Sequence, residues 1–204
     1  AAELELVSGN AKKHISNPDF IKDAFETVDN AAGDIRRLLE QLRHRRVQTG
    51  KWVLVDLVGL VQKVVENKQQ QLPRPVLKST CKTCFATVEK DRLANVLAHL
   101  IDNAQQATPR DGSIEVTLTN SGAMQVIKIR DNGVGMDADF IRQRLFKLFD
   151  TTKGNAGMGI GMYESREFSR QQGGDIDVQS APGKGTTISL RIPASRVFGE
   201  AANA

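Results

Sequence analysis

From Ile21 the apolar residues recur every seven positions, at Val28, Ile35 and Leu42. Ala24, Ala31 and Leu38 stand three places after the first three, and Phe25, Ala32 and Leu39 widen the stripe. This spacing predicts one long amphipathic helix. Its start is Asn17-Pro18-Asp19, which offers a capping side chain, a proline suited to the first helical position and an acid in the first turn. A shorter helix over residues 3–14, with Leu4, Val7 and Ala11 on one side, precedes it, so residues 1–46 read as a helical hairpin. The stripe is wider than the short helix can cover. Two hairpins would bury it as a four-helix bundle, which makes residues 1–46 a dimerisation element; packing against the downstream domain is the alternative.

Beyond the turn at residues 47–51 the pattern becomes mixed. Trp52–Val55 predicts a strand, and Asp56 caps a helix carrying Leu57, Leu60, Val61, Val64 and Val65. Residues 75–79 and 84–88 read as the two strands of a hairpin. Residues 91–108 form an amphipathic helix with Leu93, Val96, Leu97, Leu100, Ile101 and Ala104 inward. Strands follow at 113–119 and 125–130, helices at about 137–144 and 160–172, and an antiparallel pair at 173–180 and 185–193. Helices interspersed with antiparallel hairpins predict an α+β class, a two-layer α/β sandwich rather than a doubly wound parallel sheet. The expected domains are the hairpin, 1–46, a larger domain, 47–195, and a tail, 196–204.

Composition narrows the function classes. The 204 residues carry 28 basic and 24 acidic side chains, a net charge of +4, and no basic stripe is interleaved with aromatics, so no nucleic-acid partner is expected. Arg43, His44, Arg45 and Arg46 close the long helix, where cations complement the helix dipole. No apolar run is long enough to cross a bilayer and no signal peptide opens the chain, which predicts a cytoplasmic chain without membrane contact of its own. Cys81 and Cys84 have no second pair with which to complete a zinc site, and they run into a β-prone segment rather than a helix N-terminus. They are expected to be two ordinary cysteines in a reducing compartment.

The chemistry-bearing residues gather in two places. His99 and Asn103 lie four apart on the helix over 91–108, so both project from one face, and a carboxamide oxygen is a hard ligand suited to Mg²⁺. The bland reading of that pair is a solvated helix face. Asp131 ends a β-branched strand and precedes Gly133 and Gly135, so its carboxylate stands beside a glycine turn that would admit a flat ring and accept the exocyclic amine of adenine. Gly157, Gly159 and Gly161 then run into a helix, where free N–H groups and the positive dipole end suit phosphates. Met162 stands where a dinucleotide fingerprint requires its third glycine, and no Walker sequence is present.

In order, these strings are HLIDNAQQAT (99–108), DNGVGM (131–136), FKLF with TTK (146–149 and 151–153), GMGIGM (157–162) and GKGTT (183–187). The set resembles the N, G1, F, G2 and G3 boxes of the GHKL ATP-binding fold, and with the helical hairpin it is similar to sensor histidine kinases in particular. The likeness covers about residues 50–193 by specific motifs and 3–45 more loosely. It implies ATP and Mg²⁺ as cofactors, with Asn103 on the metal, Asp131 on the adenine amine, and Gly133 and Gly135 shaping the adenine side. It further implies Phe146 and Phe149 as anchors of a mobile lid, with Thr152 and Lys153 on that lid and Lys153 reaching the phosphates. The N–H groups around Gly157, Met158, Gly159, Ile160 and Gly161 would hold the phosphates, and Thr186 would lie near Asp131. His99 and Lys153 are the catalytic candidates.

Hydrolytic members of this family place a glutamate at the position of His99, so transfer to a protein acceptor is expected over hydrolysis. A phosphoacceptor histidine followed by an acid is missing: His14, His44 and His99 do not qualify. The chain is therefore expected to start after the acceptor and to be unable to phosphorylate itself, its parent, anchored or not in the inner membrane, forming a homodimer and passing phosphate to a response-regulator receiver domain. Alternatives are a GHKL serine kinase, an ATP-hydrolysing GHKL protein and a non-catalytic dimerisation scaffold.

Overall fold

The side chain of Asn17 accepts the backbone N–H of Asp19 at 3.0 Å, and from there the chain runs as α1, Pro18–Val47. The Asn-Pro-Asp start thus acts as a helix cap. The computed structural model describes residues 17–47, 50–79, 81, 83–148 and 159–195; the expected short helix over 3–14 lies outside them. The chain divides into two units, Ala1–Thr49 and Gly50–Ala204. In the first, the stripe residues Ile21, Phe25 and Val28 are 37%, 67% and 46% exposed. An apolar stripe this open needs a covering surface.

In the second unit, β1 (Trp52–Asp56) passes into α2 (Leu57–Asn67) because Asp56 Oδ1 accepts the Val58 N–H at 3.0 Å. The five apolar residues expected to face inward on α2 are all buried. The same holds for the six on α3, Lys90–Ala107. A five-stranded sheet lies beside these helices, ordered β2 (Pro75–Ser79), β4 (Ile114–Ser121), β5 (Met124–Asp131), β7 (Thr186–Pro193), β6 (Asp175–Ser180). β2 runs parallel to β4 and every other pairing is antiparallel. Between β5 and β6 lie α4 (Ala138–Gln143) and α5 (Gly161–Gln171). Alternation along the strands sends Ile114, Val116, Leu118, Ile127, Ile129, Ile188, Leu190 and Ile192 into one core with α2, α3 and Phe168 of α5. The expected two-layer α+β sandwich with a mixed, largely antiparallel sheet is what forms.

Two expectations fail. Residues 75–79 and 84–88 are not a hairpin: β2 joins the large sheet beside β4, whereas β3 (Phe85–Glu89) pairs antiparallel with β1 in a separate two-stranded sheet. Both segments are short and β-prone, and proximity in sequence suggested a pairing that the burial of Ala86 and Val88 against the helices overrides. Cys81 and Cys84 are not free thiols but a disulfide. Turning from one sheet to the other brings their Cα atoms to 6.1 Å, within bridging range.

One buried side chain fastens the loop that leads into β2. Gln105, on the inward face of α3, directs Nε2 at the carbonyls of Lys68, Gln71 and Pro73, at 3.1, 3.0 and 3.2 Å. Gln105→Met keeps the volume but strands these carbonyls, at a cost of about 1–3 kcal/mol. Urea unfolding is expected to show a lower midpoint with an unchanged slope.

Candidate functional site

Two groups of polar residues lie along α3, one on the helix itself and one at its C-terminal end. In the first group, Asn103 Nδ2 lies 2.9 Å from His99 Nε2, the i, i+4 spacing read in the sequence. With the carboxamide nitrogen as donor, the ring accepts at Nε2 and carries its proton on Nδ1. The His99 ring in turn fills the space where a side chain on Gly161 would begin. Gly161 is the first residue of α5, and Ile160 before it contributes no capping side chain, so the positive end of α5 opens beside His99 and Asn103. Glycine is required at 161 by this close approach.

The second group belongs to Asp131. This carboxylate is 6% exposed at the end of β5. Its Oδ1 accepts from Gly133 N at 2.9 Å and Thr186 N at 3.1 Å. Burial pushes its pKa up from the usual carboxylate value, and the two backbone N–H groups pull part of the way back. A buried acceptor with one oxygen fixed by the backbone presents the other in a set direction.

The glycine turn beside it is built against three elements. Val134 N donates to the carbonyl of Ala107 at the end of α3, at 3.0 Å, and Gly183 N donates to Val134 O at 2.7 Å. Gly135 sits at φ +69°, with its Cα against the carbonyl of Ala181, so it needs glycine for its backbone conformation and for the contact. Met136 N donates to Ser180 Oγ at 2.8 Å, and Ser180 Oγ lies 2.9 Å from Thr186 Oγ1. The loop is thereby latched to the β6–β7 hairpin.

Phe146 joins neither group. The Arg166 guanidinium lies 4.3 Å from its ring centroid and also bonds Asp175 Oδ1 at 3.0 Å, so α5 and β6 hold it. Burial opposes ionisation of Asp175, but the bonds from Arg166, Ile176 N and Arg170 outweigh it and hold its carboxyl below the usual range.

The structure therefore brings His99, Asn103, Ile160 and Gly161 together in the first group, and Asp131, Gly133, Gly135 and Thr186 in the second. Gly159, at φ +62°, leads into the first group. Phe149, Thr152, Lys153, Gly157 and Met158 lie outside the described residues. Sequence reasoning missed Ser180, Gly185 and Thr108. Gly185 packs its Cα on the Asp131 carbonyl, and the GKGTT string contained that signal. The Thr108 hydroxyl, buried beside Gly133 without a hydrogen-bond partner, follows directly after α3. Nothing in the pattern around Ser180 marked it.

Known proteins resemble this chain in sequence and in fold. The model of histidine kinase-, DNA gyrase B- and HSP90-like ATPases matches residues 88–196. The sensor protein SrrB of Staphylococcus aureus (strain MRSA252) is 28% identical over 191 residues, covering 88% of this chain and 33% of SrrB, so the chain spans about a third of such relatives. Among solved structures, the mycobacterial sensor histidine kinase MprB superposes with a TM-score of 0.63 at 20% identity, over 72% of this chain and 99% of that one. Full-length ShkA in complex with AMPPNP gives 0.65 at 21% identity, over 89% of this chain and 40% of that one. At such identities these two likenesses show the fold alone.

Proposed function

The chain belongs to the family of histidine kinase-, DNA gyrase B- and HSP90-like ATPases, and from that premise we propose that it is the ATP-binding catalytic part of a two-component sensor histidine kinase. Residues 47–195 bind the nucleotide. Residues 1–46 contribute to a dimeric helical bundle, and 196–204 are a tail. The γ-phosphoryl of ATP passes to a histidine of the parent's dimerisation helix and then to an aspartate of a receiver domain. The observation that carries this reading is the buried Asp131 carboxylate, whose Oδ1 is held by Gly133 N and Thr186 N. That leaves Oδ2 to accept the adenine amine. The open stripe of Ile21, Phe25 and Val28 supports the dimer.

The remaining residues position the triphosphate. The first turn of α5, from Gly161, receives phosphate oxygens on N–H groups that no side chain caps. His99 fixes the Asn103 carboxamide with its nitrogen toward the ring, which turns the oxygen to the opposite side. That oxygen is a hard donor, and among the described residues no cluster of three acids, histidines or cysteines competes for a cation. One protein ligand, with phosphates and water for the rest, is a donor set that fits Mg²⁺. The ion, when bound, neutralises phosphate charge. Lys153 and Thr152 carry the lid over the phosphates, with Phe146 and Phe149 as its anchors. Hydrolysis needs a general base at the position of His99 that is free to take a proton from water, whereas here His99 Nε2 is hydrogen-bonded to Asn103, which favours transfer.

Asn103→Ala tests this reading. With Mg²⁺ present, affinity for a fluorescent ATP analogue is expected to fall about tenfold or more, the equivalent of about 1.4 kcal/mol. With the metal chelated, variant and parent should bind alike. Equal affinity of the two proteins in saturating Mg²⁺ would remove the metal role from Asn103.

A further inference from the structure

Among the described residues of the second unit, the helices cover one face of the five-stranded sheet and leave the other bare, and the strand register sets its charges in rows. Across one row Glu115 of β4 stands beside Arg130 of β5, then Thr187 of β7, then Gln179 of β6. Across the next, Lys78 of β2 is followed by Thr117, Lys128, Ser189 and Asp177. Ion pairs neutralise the margins: Lys78 with Glu115, and Arg191 with Asp177. The centre keeps a positive excess: Glu115, already paired with Lys78, is the one acid in its lining, against three cations. Among the described residues Lys128, Arg130 and Lys184, the last in the β6–β7 turn, have no acidic partner, and all three are exposed. They line a shallow concavity of about 510 Å³ together with the hydroxyl donors Thr117 and Thr187.

We infer that this open sheet face is a docking surface for an acidic polypeptide segment of a partner protein. Charge complementarity is the first argument: three cations on three structural positions, flanked by donors, meet carboxylates rather than cations or neutral groups. The lining settles the class of occupant. Ala181 is the sole apolar residue in it, so the surface lacks the apolar walls that enclose a small organic ligand. No aromatic side chain lies there on which a single-stranded nucleic acid would stack. Val76 of β2, exposed beside Glu115 at the sheet edge, is a single apolar side chain and too little to enter a bilayer. The surface lies on the side of the sheet opposite the core that α3 and α5 help to form, and its lining takes in Ser180, Gly185 and Thr186, so an occupant reaches the outer side of the hairpin that holds Asp131.

The test uses the full 204-residue chain and a synthetic peptide of about 12 alternating glutamates and aspartates, titrated at low salt and again at physiological ionic strength, where screening weakens exposed contacts. The peptide is expected to bind at low salt, with amide chemical-shift changes at Lys128, Arg130 and Thr187. Lys128→Ser/Arg130→Ser is expected to weaken binding about tenfold. Lys63→Ser/Lys90→Ser removes the same charge from exposed positions on α2 and α3, away from this face, and is expected to change affinity less than about twofold. Equal loss in the two variants would reduce the effect to net charge and overturn the assignment. So would absence of peptide binding at low salt, shift changes confined to other surfaces, or tighter binding of phosphatidylglycerol vesicles or oligo-dT than of the peptide. The chemical shifts are read on the unmutated chain, so a variant that fails to fold does not remove the test.

Discussion

Asp131→Ala is expected to lower ATP affinity about 10- to 100-fold, the loss that follows from removing one charge-assisted hydrogen bond of about 1.5–3 kcal/mol. Alanine also strips the Gly133 and Thr186 N–H groups of their acceptor, so part of the effect would be a looser loop. Asp131→Asn separates the two. Its carbonyl oxygen still accepts both backbone donors, while an amide NH₂ now faces the adenine amine; affinity should fall as far with the fold intact by circular dichroism. The pH dependence has a definite sign. Burial raises the Asp131 pKa, so acidification protonates it earlier than an exposed carboxylate and ATP affinity declines as the pH falls through that raised value. For stability the direction reverses: a raised carboxyl pKa means a contribution complete below the unfolded value and lost as pH rises through the folded one. At neutral pH the carboxylate is held for binding at some expense to the fold.

Gly161→Ala carries the second large effect. The added methyl would meet the His99 ring at the start of α5, and displacing the ring breaks its bond to Asn103. Affinity for Mg·ATP should fall about tenfold or more, while adenosine, which lacks phosphates and reaches only the Asp131 end, should bind as before. His99→Ala opens the space the methyl needs. In a double-mutant cycle the Gly161→Ala penalty should therefore be smaller on the His99→Ala background; additive penalties would mean that the two residues do not act through one contact.

How much of this was legible in the sequence depended on whether a residue's role was local. The inward faces of α2 and α3 follow from helical period, and all eleven residues predicted there are buried. Asn17 and Asp56 act within two residues of themselves and were equally readable. The pairing of β2 and β3 was not, because a strand's partner is chosen by burial across the chain: β2 finds β4 through a parallel contact nearly forty residues away, while β3 returns to β1. The disulfide failed for a related reason. The sequence showed two cysteines three apart but not that the sheet change between them would bring their Cα atoms within range.

The site divides in the same way. His99 and Asn103 were placed by helical spacing, and their hydrogen bond bears it out. Asp131 was expected at a strand end beside glycine, and it does end β5, buried. What the pattern could not give was the latch: Ser180 reaches Met136 N across 44 positions, and Gly185 matters because its Cα rests on the Asp131 carbonyl. Such residues are defined by what folding brings to them.

The most direct test of the adenine site at Asp131 is a calorimetric titration of the chain with non-hydrolysable analogues of ATP and GTP in Mg²⁺. Guanine carries a carbonyl oxygen where adenine carries its exocyclic amine, so a carboxylate acceptor must repel it. The ATP analogue should bind at least about tenfold tighter, and Asp131→Asn, whose NH₂ can meet a carbonyl, should erase or invert the preference. Equal affinity of the two analogues for the unmutated chain would contradict the account.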